Sequence, residues 1–151
     1  MEKITEIYIA NRLNYYKIGL LSGLVTLKDF QKWLDETFMQ SDESILLDLE
    51  GCRNVNEILS CINNYFRAIN YDENPKEILK ELIEIIEKKY NSKEWNLRQT
   101  VDCFAMVHTI ILNNIDWTED VYMLMQNLSD AYLWAYDDEI INGVKEVFEY
   151  F

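Results

Sequence analysis

Residues 74–90 read NPKEILKELIEIIEKKY, and this stretch decides the fold class. Ile78, Leu79, Leu82, Ile83, Ile86 and Tyr90 recur at three- and four-residue steps and so line one side of a helix, while Lys76, Lys80, Glu84, Glu87 and Lys88 point to water. Asn74 before Pro75 is a cap with proline at the first helical position, where the missing N–H leaves no bond unmade.

The same period extends in both directions. Towards the N-terminus, Asn54 with Glu57 opens a helix faced by Val55, Ile58, Leu59, Ile62, Phe66 and Ile69. A shorter segment is expected around Ser44 to Glu50. Leu27, Phe30, Leu34 and Phe38 form a stripe behind Thr26 and Asp29, which have capping-box spacing. Ile9, Leu13, Tyr16 and Leu20 place a first helix over about 4–21, ending in the Gly19 to Gly23 region. Towards the C-terminus, Val101 to Leu112 reads VDCFAMVHTIIL with Asp102 as its one formal charge, which predicts a central, buried helix. Asp116 with Glu119 is positioned to cap the next helix, with Val121, Leu124, Met125, Leu128 and Ala135 on one face. Asp137 is positioned to cap the last, with Ile140, Ile141, Val144, Val147, Phe148 and Phe151 as its stripe. Helix starts near 4, 26, 54, 75, 96, 118 and 138 predict an all-α chain of seven or eight helices. Short connections make neighbours antiparallel hairpins, packed as an irregular bundle or a short α-α stack. No stretch alternates with the period of a strand, so no sheet is expected.

The 151 residues, nearly half of them apolar, suffice for a single helical domain spanning 1–151 with one core. No run of eighteen apolar residues appears, and MEKITEIYIANR has acids and polar groups where a signal peptide needs an apolar stretch, so a cytoplasmic protein is expected. Cys52, Cys61 and Cys103 are odd in number and lack CxxC spacing, which argues against a disulfide framework and a zinc site; they read as reduced thiols, two of them core fillers.

The net charge of −13 is unevenly spread, with 17 acids and 13 bases in residues 1–98 but 10 acids and only Lys145 in residues 99–151. Nucleic acid and anionic membranes are disfavoured as partners, because phosphate binding needs clustered Lys and Arg. A basic protein surface is favoured, with solubility as the plainer account of the charge.

Catalytic and metal chemistry find no foothold in the residues. His108 is the lone histidine and falls on the stripe Leu97, Val101, Phe104, His108 and Ile111, which reads as a satisfied core histidine. Asp102 lies about 240° around the helix from it and cannot pair with it there. The four glycines form no phosphate-cradling loop, and Ser22 and Ser60 lack an adjacent histidine. No catalytic residue, metal ligand or cofactor is therefore expected, and a hydrolase built on carboxylates alone is the enzyme alternative.

The constellation that stands out mixes acids with aromatic rings. Trp117, Glu119, Asp120, Tyr122, Asp130, Tyr132, Trp134, Tyr136, Asp137, Asp138 and Glu139 combine groups suited to hot spots with groups that meet Lys and Arg. Of these, Trp117, Glu119, Asp120, Asp130, Trp134, Tyr136, Asp137, Asp138 and Glu139 are the candidate partner-binding residues. The competing account makes the rings core and the acids solvated helix ends.

At the other end, residues 7–38, IYIANRLNYYKIGLLSGLVTLKDFQKWLDETF, form a Tyr-rich helix, a Gly-containing turn and a capped helix carrying Trp33. This pattern resembles the N-terminus of small acidic immunity proteins of bacterial polymorphic-toxin and contact-dependent inhibition systems. The resemblance implies a cytoplasmic, non-enzymatic protein that binds and neutralises a cognate toxin domain, often a nuclease with a basic groove. It implies no contact residues, and a helical adaptor or scaffold remains the alternative.

Overall fold

The structure is a computed structural model that describes residues 5–116 and 119–151. The fold is all-α: 76% helix, with eight α-helices and no strand among the described residues. Contacts gather into two compact units that divide between Glu73 and Asn74.

The first unit holds α1 (Glu6–Ser22), α2 (Leu27–Phe38), α3 (Ser44–Glu50) and α4 (Val55–Ala68). Thr5 caps α1 by accepting the Tyr8 N–H at 3.2 Å. Gly23 ends it at φ 76°, a left-handed conformation that glycine adopts without steric cost. The capping box at α2 forms as its spacing predicts: Asp29 N–H donates to Thr26 Oγ1 at 3.1 Å, and Thr26 N–H donates to Asp29 Oδ2 at 3.2 Å. These bonds hold the Asp29 carboxyl below its usual range. At α4 only half a box closes. Asn54 accepts the Glu57 N–H at 2.9 Å, but the Glu57 carboxylate turns to the Arg53 backbone and guanidinium instead of the cap N–H.

Ile9, Leu13, Phe30, Leu46 and Ile62 are wholly or almost wholly buried in this unit. Tyr16, Phe30 and Trp33 form a ring cluster with centroids 5.1–6.0 Å apart. The tail after α4 is tied to α1, where buried Asn14 donates to the Glu73 carbonyl at 3.2 Å and Lys17 pairs with the Glu73 carboxylate.

The second unit holds α5 (Lys76–Asn91), α6 (Leu97–Ile111), a 3₁₀ turn (Leu112–Asn114), α7 (Asp120–Ala131) and α8 (Asp137–Tyr150). Ile78, Leu79, Leu82, Ile83 and Ile86 are all buried along α5, as the deciding stretch predicts. Pro75 itself takes the cap position there, while the Asn74 side chain accepts the Lys76 N–H at 3.0 Å. α6 packs on α5, α7 and α8. It is not buried all round, however: Arg98, Met106 and Thr109 are exposed with half-buried Asp102 among them, and Arg98 pairs with Asp102 at 3.0 Å.

Three local expectations are corrected here. Glu119, not Asp116, is the cap residue of α7 and makes no side-chain cap bond; its N–H donates to the Asp116 carbonyl at 3.1 Å. Tyr136 caps α8, and Asp137 is the first helical residue. Ala135 lies beyond α7, which tightens into three-residue hydrogen bonds from Leu133 to Asp130 and from Trp134 to Ala131 before it stops. Only Cys103 of the three thiols is buried; Cys52 and Cys61 are half-buried. No helix among the described residues is long and apolar enough to cross a membrane.

Candidate partner-binding surface

α7 and α8 form an antiparallel hairpin whose spacing is set by Gly143. A Cβ added there would lie 2.5 Å from Leu128 Cδ2, so the absence of a side chain lets the two helices approach closely. Val121, Tyr122, Met125 and Leu128 of α7 and Ile140, Val144 and Val147 of α8 are buried. With these faces committed inward, the connection of residues 132–136 stands at the hairpin's tip.

Leu133, Trp134 and Tyr136 at that tip are 73%, 77% and 81% exposed, far more than packing residues of their kind. Asp130 lies one turn before them, and Asp137, Asp138 and Glu139 form the first turn of α8, all exposed. Six of the nine expected residues thus concentrate at one corner: Asp130, Trp134, Tyr136, Asp137, Asp138 and Glu139. Leu133 belongs with them and was missed, because a single leucine at a helix end carries no sequence signal of exposure.

The other three do not join the corner. Glu119 and Asp120 sit at the opposite end of α7, and its 12 residues put them about 18 Å away. Glu119 accepts a hydrogen bond from the Tyr150 hydroxyl at 3.2 Å, and Asp120 lines a groove with Met123, Leu124, Glu146 and Tyr150. Trp117 lies outside the described residues. Two further rings of the constellation are structural. Tyr122 is buried, and the Arg98 guanidinium covers the Tyr132 ring at 5.1 Å.

The acids of α8 also have a local role. Tyr136 gives no side-chain cap bond, so three carboxylates in the first turn face the positive end of the helix dipole. That accounts for their presence at a helix start but not for three exposed apolar side chains beside them, which is the composition of a contact surface.

His108 is buried on α6, but its Nε2 has no hydrogen-bond partner, so it is not the fully satisfied core histidine that the stripe predicts. Burial lowers its pKa from the ordinary 6.5, keeping it neutral. Among the described residues, no three histidine, cysteine or acidic side chains are placed to hold a metal ion.

The sister chromatid cohesion protein mis4 of Schizosaccharomyces pombe (strain 972 / ATCC 24843) is 25% identical to the chain over 144 residues, covering 89% of this chain and 9% of that protein. The chain therefore spans less than a tenth of the length of this relative. No protein-family model matches the chain, and no solved structure matches it.

Proposed function

We propose that the chain is a non-enzymatic binding protein that docks a basic protein surface on the α7–α8 corner, and that its partner is a toxin domain which it neutralises. The observation that carries this reading is the exposure of Leu133, Trp134 and Tyr136 beside Asp130, Asp137, Asp138 and Glu139. Rigid amphipathic rings supply contact area at low entropic cost, and carboxylates around them complement Lys and Arg on the partner. The resemblance of residues 7–38 to immunity proteins supplies the toxin, and an acidic inhibitor suits a nuclease whose substrate groove is basic. Such a protein works in the cytoplasm, where the toxin acts.

Co-purification with the product of the adjacent upstream gene, followed by assay of that product's toxicity, tests the reading. A stable complex that abolishes toxicity supports it; a complex that leaves toxicity intact refutes neutralisation. A second reading, a helical adaptor, is favoured by the similarity to a sister chromatid cohesion protein. It expects one chain to bridge two proteins at once without inhibiting either.

A further inference from the structure

The end of the α7–α8 hairpin away from the corner carries a groove of about 430 Å³, lined by Asp120, Met123, Leu124 and Asn127 of α7 and by Glu146 and Tyr150 of α8. Its floor is apolar, with Leu124 half-buried and Met123 and Tyr150 exposed to water. The Tyr150 ring is held in place from two sides: its hydroxyl donates to Glu119 Oε2 at 3.2 Å, and the Phe151 ring meets it edge-on with centroids 4.9 Å apart. On α8, Glu139, Gly143, Glu146 and Tyr150 recur at four-, three- and four-residue steps and so share a face. A Cβ at Gly143 would lie 3.5 Å from Leu124 Cδ1, so the seam that floors the groove leads past Gly143 towards Glu139 of the corner.

We propose that this groove is a second docking site, which seats an arginine side chain of a protein partner. The methylenes of the arginine lie along Met123 and Leu124, and its guanidinium stacks on the Tyr150 ring between the carboxylates of Asp120 and Glu146. Charge complementarity selects a cation: the groove takes one carboxylate from each helix, and among the described residues no base pairs with Asp120 or Glu146. Shape selects arginine over lysine, because a planar guanidinium can stack on a ring and hydrogen-bond carboxylates at its edge together, whereas an ammonium is a compact, strongly hydrated point charge.

A second copy of the chain does not suit the groove. Residues 119–151 bring eight acids against Lys145 alone, so two such hairpins repel each other. That one partner covers both the groove and the corner rests on the docking reading above. It then presents basic groups over about 18 Å, the length of α7, which is the span of a helix or an extended segment and not of a single tight turn.

The full chain, labelled with carbon-13 at its methionine methyls and nitrogen-15 at its tryptophan indoles, is titrated with a hexa-arginine peptide at low salt and followed by NMR. The Met123 methyl should shift and saturate, while Met39 in the first unit and Met106 on α6, both exposed, stay in place. Hexacitrulline, which has the same shape without the charge, should move none of them. Asp120→Asn with Glu146→Gln should weaken binding read at Met123 about fivefold, whereas Glu36→Gln with Asp42→Asn, which removes the same charge from exposed positions of the first unit, should weaken it less than about twofold. A Met123 signal that never moves, shifts of equal size at Met39, Met106 and Met123, equal losses in the two double variants, or matching shifts from hexacitrulline would each overturn the proposal. The Trp134 indole keeps the corner separate. If it shifts while Met123 does not, the groove fails and the corner reading stands; if Met123 shifts alone, the groove stands and the corner reading fails.

Discussion

Tyr16, Phe30 and Trp33 in the first unit and Leu133, Trp134 and Tyr136 in the second are similar sets of large apolar side chains in opposite environments. The first set lies on the inward stripes of α1 and α2, and its rings stack within 6.0 Å of one another. The second lies where α7 has stopped and α8 has not begun, so no helix face carries it inward. Composition says that both sets are sticky; position says that one is already satisfied. An aromatic residue at a helix junction is thus a better candidate for recognition than one in a periodic stripe.

The largest expected effect lies in the buried set. Phe30 is fully buried, and Phe30→Ala should cost about 3–5 kcal/mol in urea unfolding. A loss of under about 1 kcal/mol would mean that the ring cluster collapses without penalty.

Next is the spacing of the hairpin that presents the exposed set. Gly143→Val puts a branched side chain against Leu128 and should destabilise by about 1–3 kcal/mol. Retained stability would show that α8 can move away from α7, and a binding assay on that variant would reveal whether the corner moves with it.

Replacing Asp137, Asp138 and Glu139 together by Asn, Asn and Gln removes favourable dipole interactions worth about 0.3–1 kcal/mol each. If the corner docks a basic surface, the same variant should also slow association and flatten its dependence on salt. An on-rate that ignores both the mutations and ionic strength would move the interface elsewhere.

Trp134→Ala should change stability by no more than about 0.5 kcal/mol, because the side chain is 77% exposed. Dissociation of the partner should nevertheless become faster. A large stability loss would place Trp134 with the buried set and end the contrast.

The smallest effect at neutral pH belongs to His108. Its pKa is lowered in the folded chain, so the unfolded chain takes up a proton first as pH falls below about 6.5, and stability declines from there. Above that pH both states are neutral and nothing changes. His108→Leu should flatten the slope of unfolding free energy between pH 5 and 7 relative to the parent chain, on the order of a few tenths of a unit of proton uptake. An unchanged slope would assign the acid sensitivity to carboxylates.

Helix identity was legible because a 3.6-residue period needs only the chain's own order. Ile78 to Ile86 announced α5, and Thr26 with Asp29 announced the start of α2, since caps and stripes are local interactions. The corner was legible in part. Asp130, Trp134, Tyr136, Asp137, Asp138 and Glu139 could be gathered by eye because they are near in sequence, but so could Glu119 and Asp120, which belong to the hairpin's far end. An antiparallel hairpin separates the ends of one helix by its full length, and composition has no measure of that distance. The expectation that the helix of Val101 to Leu112 is buried failed at Met106 for a related reason: an apolar residue in a rich helix has a direction only once its neighbours are placed.

The sequence by itself determined an acidic, all-α chain, its helix boundaries to within a few residues, and the absence of any sequence motif for metal or phosphate chemistry, because those properties depend on residue order and composition. Tertiary structure decided which aromatics are buried and that Gly143 lets α7 and α8 meet. Each of those is a meeting between residues on different helical segments or across a turn. Such meetings are fixed by packing free energy summed over whole helix faces, which no single window of sequence contains.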